Sequence, residues 1–363
     1  MCSIRDCGGN PLCILFIFLR NYLRGPCNNR LEDNLVPMNQ LATQQLEPGD
    51  LLDHYRIEAI VARGGMGILY RATDLQLDRP VAIKVPSAEL ESDPILLERF
   101  HREQEIGYEL NHPGVVRTFE REEHSRIYMV MEWAEGRLLR SILTAERKLP
   151  IERAVKLASS LCDALDYMHK HAVVHRDLKP ENIMVDAEDR VKIIDFGIAM
   201  KEDARRLTHV NLATAMGTPD YISPEQVKGL RGDHRCDIYS LGVILYEMLT
   251  GQVPFAGSNP LLAMNDRILK DPKPACKLNP EIGPALQEVL DRALERDPRH
   301  RYSTAADMAW DLEHQEQVDV AQPARKPLLE GLRLPTKRKL ALYAALTLGP
   351  LLLFALMLLL ARH

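Results

Sequence analysis

Cysteine is scarce in this chain, and so is any excess of one charge. Seven cysteines in 363 residues is an odd, low count, and Cys2, Cys7, Cys13 and Cys27 show none of the close paired spacings that zinc ribbons and redox motifs use. A disulfide scaffold is excluded, and the main body reads as reduced and cytosolic. Cys162, Cys236 and Cys276 stand alone in apolar or mixed surroundings, the setting of small buried hydrophobes rather than nucleophiles. Lys and Arg number 46 against 51 Asp and Glu, a formal net charge of -5. The two signs are mixed along the chain, so no broad basic surface awaits a nucleic-acid backbone, and no nucleic-acid partner is expected. No internal repeat or low-complexity linker interrupts Tyr55 to Leu312. What is present is an ordinary globular composition, 46% hydrophobic and 27% charged, in a chain long enough for roughly two or three domains or one large two-lobed one.

One long uncharged run does occur, from Leu340 to Ala361. As a helix it measures roughly 33 Å at about 1.5 Å per residue, which matches a hydrocarbon core of about 30 Å. Arg325, Lys326, Arg333, Lys337, Arg338 and Lys339 precede it, whereas only Arg362 and His363 follow. The positive-inside bias therefore keeps everything upstream in the cytoplasm, anchored by the tail to the cytoplasmic membrane as a single-pass protein without an external sensor domain. Gly349-Pro350 kinks such a span without excluding it. The apolar stretch Leu12 to Leu19 is too short to span and lacks the flanks of a signal peptide. Met38 opens a more ordinary polar lead-in and is read as an alternative start. The expected domains are an N-terminal extension at 1–54, a catalytic body at 55–314, a basic linker at 315–339 and a membrane helix at 340–361.

Within the body, short segments rich in Ile, Val and Tyr come first: Tyr55–Val61, Ile68–Ala72, Arg79–Val85, Val115–Phe119 and Ile127–Met131. Long helical patterns follow, at Ile151–His171, Asp237–Thr250 and Pro284–Leu294. Gly64, Gly65 and Gly67 fall at a strand-to-strand turn, where missing side chains let backbone N–H groups approach phosphate oxygens, although such a cluster also suits a plain hairpin. The next strand sets Lys84 amid Val81, Ala82, Ile83 and Val85. A lysine there needs an anionic partner, because burying an unpaired ammonium is very costly. Asp93 and Pro94 open a helix as N-cap and first residue, and it runs to about Leu110. On that helix Glu103 shares a stripe with Leu96, Phe100, Gly107 and Leu110, while Glu98, Glu105 and Glu109 point away. A Lys84–Glu103 ion pair is the expectation. Downstream, His175 to Asn182 reads HRDLKPEN, and Asp195-Phe196-Gly197 follows the apolar Val191, Ile193 and Ile194. Asp177, Asn182 and Asp195 offer hard oxygen ligands and a base, which suits Mg2+ and a triphosphate better than zinc. The spacing of His169, His171 and His175 does not make a metal cluster.

Taken in order, the glycine loop, VAIK, the helix glutamate, HRD, DFG and the SPE triplet resemble the protein kinases, specifically bacterial-type Ser/Thr kinases, over about Tyr55 to Leu312. GTPDYISPEQ (217–226), DIYSLGVILYEMLTGQVPF (237–255) and DPRHRYS around Arg301 extend the likeness. The resemblance implies an α+β, bilobal protein kinase fold, with a small β-rich N-lobe and a larger α-helical C-lobe, and ATP with Mg2+ as cofactors. ATP would meet Ala62, Gly64, Gly65, Gly67, Leu69 and Lys84, with Met131 as gatekeeper and Glu132 to Ala134 as hinge. Asp177 would be the catalytic base, Lys179 would steady the transferred phosphoryl group, Lys84 held by Glu103 would contact the phosphates, and Asn182 and Asp195 would hold the metal. Glu225 and Arg301 resemble a buried structural pair. Two positions depart from the family pattern: Ala62 replaces the first loop glycine and Leu69 the usual valine.

Between Asp195 and Glu225 lie Thr208, Thr214 and Thr218. Arg176, just before the base, is the residue that kinases of this type pair with a phosphorylated activation segment, so autophosphorylation is expected at Thr208 or Thr214, with Thr218 shaping the acceptor site. Expected partners are protein substrates bearing Ser or Thr, the membrane through the C-terminal helix, and a second copy of the chain for trans-autophosphorylation. The competing reading is a pseudokinase scaffold. Ala62 favours it, and the intact Lys84, Asp177, Asn182 and Asp195 oppose it.

Overall fold

A computed structural model describes residues 45–64, 67–119, 125–195, 200–201, 219–257 and 259–320. The extension up to residue 44, Gly65, Phe196, Gly197, Thr208, Thr214, Thr218 and the stretch 321–363, including the apolar run 340–361, lie outside the described residues. Among those described, no helix is long and apolar enough to cross a membrane. The chain divides into two units, one made by the residues through Ile142 together with Ala164–Gly217, the other by Leu143–Asp163 and the chain from Thr218 on.

The first unit begins with β1 (Leu51–Leu52), β2 (Tyr55–Gly64), β3 (Gly67–Asp74) and β4 (Arg79–Pro86), joined later by β5 (Met129–Glu132). They form one antiparallel sheet in chain order. Tyr55, Ile57, Tyr70, Ala72, Val81, Ile83, Val85 and Val130 pack on its inner side as a single cluster. In β2 the in-out alternation holds only as far as Ile57; register shifts follow between Ile57 and Ala59 and between Ile60 and Ala62, after which only Ile60 still packs against the cluster and Val61–Gly64 are exposed.

After β4 come α1 (Ala88–Ser92) and α2 (Pro94–Glu109). The Asp93 side chain accepts from the amides of Ile95 and Leu96 at 2.8 and 3.3 Å, and Pro94 occupies the first turn. Such a cap contributes about 1 kcal/mol. Phe100, Glu103, Gly107 and Leu110 are buried, while Glu98, Glu105 and Glu109 are exposed, the partition that helical phase demands.

One expected strand is absent as such. Val115–Phe119 forms only isolated bridges, parallel from Val115 to Ile193 and antiparallel from Thr118 to Met131. The reason is that the segment changes partners midway: the Val116 amide donates to Ile193 O at 2.8 Å, whereas the Phe119 amide donates to Val130 O at 2.9 Å. Each ladder is too short to count as a strand, yet the segment splices two sheets. The second of these sheets holds β6 (Arg137–Leu138), β8 (Ile183–Val185) and β9 (Val191–Ile193) in the order β6-β8-β9, and β7 (Val173–Val174) pairs separately with β10 (Met200–Lys201). Between β6 and β7 run α3 (Leu139–Glu146) and α4 (Ile151–Lys170).

The second unit is helical: α5 (Pro224–Val227), α6 (Arg235–Thr250), α7 (Pro260–Leu269), α8 (Pro284–Ala293) and α9 (Ala305–Glu313). Helix α6 is buried on all sides from Cys236 to Leu249, as befits a helix that is apolar nearly all round. A Cβ on its Gly242 would stand 2.9 Å from the Ala293 methyl of α8, so the missing side chain is what lets the two helices approach. Cys162 and Cys236 are buried free thiols and Cys276 is half-buried, in line with a packing role.

Candidate active site

The site is assembled inside the first unit. Period-2 alternation on β4 turns Lys84 away from the cluster that buries Ile83 and Val85. Its Nζ donates to Glu103 Oε1 and Oε2 at 2.7 and 3.0 Å and lies 3.6 Å from Asp195 Oδ1. Burial pushes the Glu103 carboxyl up to about 7, with the Lys84 ammonium opposing the shift and the Asp195 carboxylate adding to it. For Lys84, burial works against the charge, but the carboxylates of Glu103 and Asp195 outweigh it and hold the ammonium above its usual range. The lysine is therefore a fixed cation aimed at the metal-ligand candidate.

A second group forms on the loop between β7 and β8. Arg176 takes a left-handed backbone, φ 65°, a conformation that costs a non-glycine residue energy and tends to persist where a site requires it. Asp177 follows. Its Oδ2 accepts from Lys179 Nζ at 2.6 Å, and its carbonyl accepts from Asn182 Nδ2 at 2.9 Å. With that amide N–H engaged, the Asn182 side-chain oxygen is the part left to serve as a ligand. The β8–β9 hairpin pairs Ile183 with Ile193, and the Ile194 amide donates to Asn182 O at 3.0 Å. This closure brings Asn182 and Asp195 to the same end of the hairpin. One carboxylate and one amide oxygen are hard donors suited to Mg2+ shared with phosphates, so the residues fit the metal that the motifs imply.

Ala62 pairs with Leu69 and Gly64 with Gly67 across the β2–β3 turn. Gly67 has φ 138°, and a Cβ there would overlap the Val85 carbonyl oxygen, so this position requires glycine. At Gly64 a Cβ would meet nothing within 4 Å, which leaves it open to a ligand rather than demanded by packing. Ala62 is exposed and pairs with Leu69 directly after the register shift between Ile60 and Ala62. Met131 is buried on β5 opposite Ala82, Glu132 ends that strand, and Ala134 follows half-buried.

Two side-chain pairs near the site were not anticipated. Arg140 Nε donates to Glu181 Oε1 at 2.8 Å, and Lys192 Nζ to Glu132 Oε1 at 2.7 Å. Each joins residues far apart in the chain with no shared helical phase, so no local pattern announces them.

A lysine paired to a helix glutamate beside Asp195, with Asp177, Lys179 and Asn182 on the loop before β8, is the arrangement that the protein kinase motifs imply. The family model described as protein kinase domain matches residues 55–312, and the chain belongs to that family. Serine/threonine-protein kinase PknB of Mycolicibacterium smegmatis is 38% identical over 270 residues, covering 73% of this chain and 43% of that protein. The Mycobacterium leprae protein of the same name is 38% identical over 286 residues, covering 77% of this chain and 45% of that protein. The chain thus spans less than half the length of these relatives. Among solved structures, the Mycobacterium tuberculosis PknI kinase domain aligns with a TM-score of 0.59 at 25% identity, covering 75% of this chain and all of that one. Both curated relatives are serine/threonine-protein kinases, and protein kinases use ATP and Mg2+.

Proposed function

We propose that this chain is a membrane-anchored Ser/Thr protein kinase that transfers the ATP γ-phosphoryl group to protein hydroxyls and phosphorylates its own activation segment at Thr208 or Thr214. The observation that carries the reading is the pair of clusters, Lys84–Glu103–Asp195 and Asp177–Lys179–Asn182, held on one unit. Phosphoryl transfer is mostly positioning and neutralisation of a polyanion, and these residues supply both. Asp177 takes the proton from the acceptor hydroxyl, and Lys179, paired with it, faces the transferred group. Lys84, fixed by Glu103, offsets phosphate charge, while Asn182 and Asp195 would hold Mg2+. Held there, the metal would supply neutralisation of phosphate charge.

The test is incubation of the full chain with Mg2+ and labelled ATP beside its Asp195→Ala variant, with phosphosites mapped by mass spectrometry. Label on Thr208 or Thr214 in the parent alone is expected. Absence of label on the chain and on generic protein substrates, with nucleotide still bound, would favour the scaffold reading. Trans-phosphorylation between copies predicts a rate that rises with the square of protein concentration, and a strictly first-order rate would exclude it.

The pH dependence follows from Glu103. With its carboxyl raised to about 7, acidification through that value protonates it and removes the charge that holds Lys84. Phosphotransfer is expected to fall as the pH is lowered from neutrality. For stability the sign is opposite. A group whose folded pKa lies above its unfolded value contributes stability below the unfolded value and loses it as pH rises through the folded one. Acidification from pH 7 to 5 therefore adds stability through Glu103 rather than removing it. Activity that declines in step with unfolding over that range would sink this account.

The anchor reading rests on the uncharged run 340–361 and the basic residues before it. These residues set the kinase on the cytoplasmic face, with the linker 315–339 beside anionic lipid. The chain is expected to sediment with membranes, resist high salt and be released by detergent. Release by salt alone would leave only a peripheral attachment.

A further inference from the structure

Lys192 is the middle residue of β9, between the buried Val191 and Ile193, so alternation turns it away from the core. That places its Nζ 2.7 Å from Glu132 Oε1, although the two residues are 60 apart in the chain. The other Glu132 oxygen accepts from the Arg117 amide at 3.4 Å, and the Glu132 amide donates to Arg117 O at 2.8 Å. The next residue, Trp133, is gripped from the other direction. The Arg71 guanidinium on β3 lies 5.0 Å from its ring centroid, and Arg71 Nε is 2.9 Å from Glu58 Oε2. Consecutive hinge side chains are thus each held by a cation, one from β9 and one from β3.

We propose that Lys192 is a positioning residue for the nucleotide: its ion pair with Glu132 locks the end of β5, where the adenine would sit, to the strand that delivers Asp195 three residues later. The proposal rests on the ATP reading above. The pair is partly exposed, at 22% for Lys192 and 36% for Glu132, so it adds little to stability. Its effect is geometric. The base of the nucleotide is held at β5 and its phosphates at Asp195 and Lys84, so the spacing of the two ends must match the ligand. Without the clamp, that spacing has to be set at the moment of binding, and the ordering cost appears in affinity rather than in the chemical step.

The experiment measures ATP KM and kcat on a generic protein substrate, together with the Kd of a fluorescent ATP analogue in Mg2+, all on the full chain. Lys192→Met is expected to raise KM and Kd about fivefold with kcat within about twofold. The reversed pair, Lys192→Glu with Glu132→Lys, is expected to recover most of the affinity that Lys192→Glu alone loses. An unchanged Kd in Lys192→Met, a fall in kcat at constant KM, or a reversed pair no better than the single change would overturn the clamp. A parent that binds the analogue but transfers no phosphate would remove the kinase reading, and the Kd comparison would still decide the clamp. A parent that binds no nucleotide overturns both.

Discussion

Asp177→Asn is expected to lower phosphotransfer by about a thousandfold while leaving nucleotide affinity within about twofold. Asparagine keeps the size and one acceptor oxygen, so the 2.6 Å contact with Lys179 and the 2.9 Å bond from Asn182 to the Asp177 carbonyl have little reason to rearrange. What is lost is the anionic oxygen that can take a proton from the attacking hydroxyl. Positioning and charge neutralisation by Lys84, Lys179 and the metal ligands remain, so a residual rate survives. Initial rates of phosphate incorporation and a nucleotide titration on the full chain check both halves of the expectation. A loss of ten-fold or less would mean that Asp177 orients the acceptor rather than deprotonating it. A matching loss of nucleotide affinity would place Asp177 in binding instead.

The second large effect concerns the scaffold. Arg301 is completely buried, and it donates to both Glu225 oxygens at 2.7 Å, to the carbonyls of Glu295 and Arg235 at 2.8 and 2.9 Å, and to Arg296 O at 3.3 Å. The guanidinium also lies 4.8 Å from the centroid of the Tyr239 ring. Arg301→Ala would leave the buried Glu225 carboxylate without the guanidinium and take one donor each from the carbonyls of Arg235, Glu295 and Arg296. Breaking such a pair costs about 3–5 kcal/mol, because the orphaned charge outweighs the lost attraction. In a domain of this size the melting temperature should fall by on the order of 10 °C. Replacing both partners, Glu225→Leu with Arg301→Met, should recover part of the loss, since the stranded charge is gone although the carbonyls still lack the guanidinium. A melt shifted by only a degree or two in Arg301→Ala would show that water reaches the site. A double variant no better than the single one would show that the carbonyls, and not the carboxylate, dominate.

Both predictions concern residues visible in the motifs, but their partners were visible to different degrees. Lys84 and Glu103 could be paired from residue types and helical phase, because an apolar strand and an amphipathic helix each force their odd charged member toward the other. The start of α2 was equally legible in Asp93-Pro94, since capping is a matter of neighbouring atoms. Arg301 and Glu225 were joined only through likeness to a family, and the carbonyl acceptors around Arg301 could not be read at all. Val115–Phe119 has strand composition, yet its two halves bond to different sheets, and nothing in five residues shows where that change of partner falls.

What the chain's own sequence determined is the set of local choices: most of the strand and helix segments, where α2 is capped, which acids lie on a buried face, and which residue types suit phosphoryl transfer. These depend on interactions within a few residues or on side-chain chemistry alone. The tertiary structure alone decided that Gly67 must be glycine because the Val85 carbonyl passes over it, that Lys192 reaches Glu132, and that Arg140 covers Glu181. Each of these depends on which distant strands and loops come to lie side by side, and that is settled by packing and sheet register rather than by any local pattern.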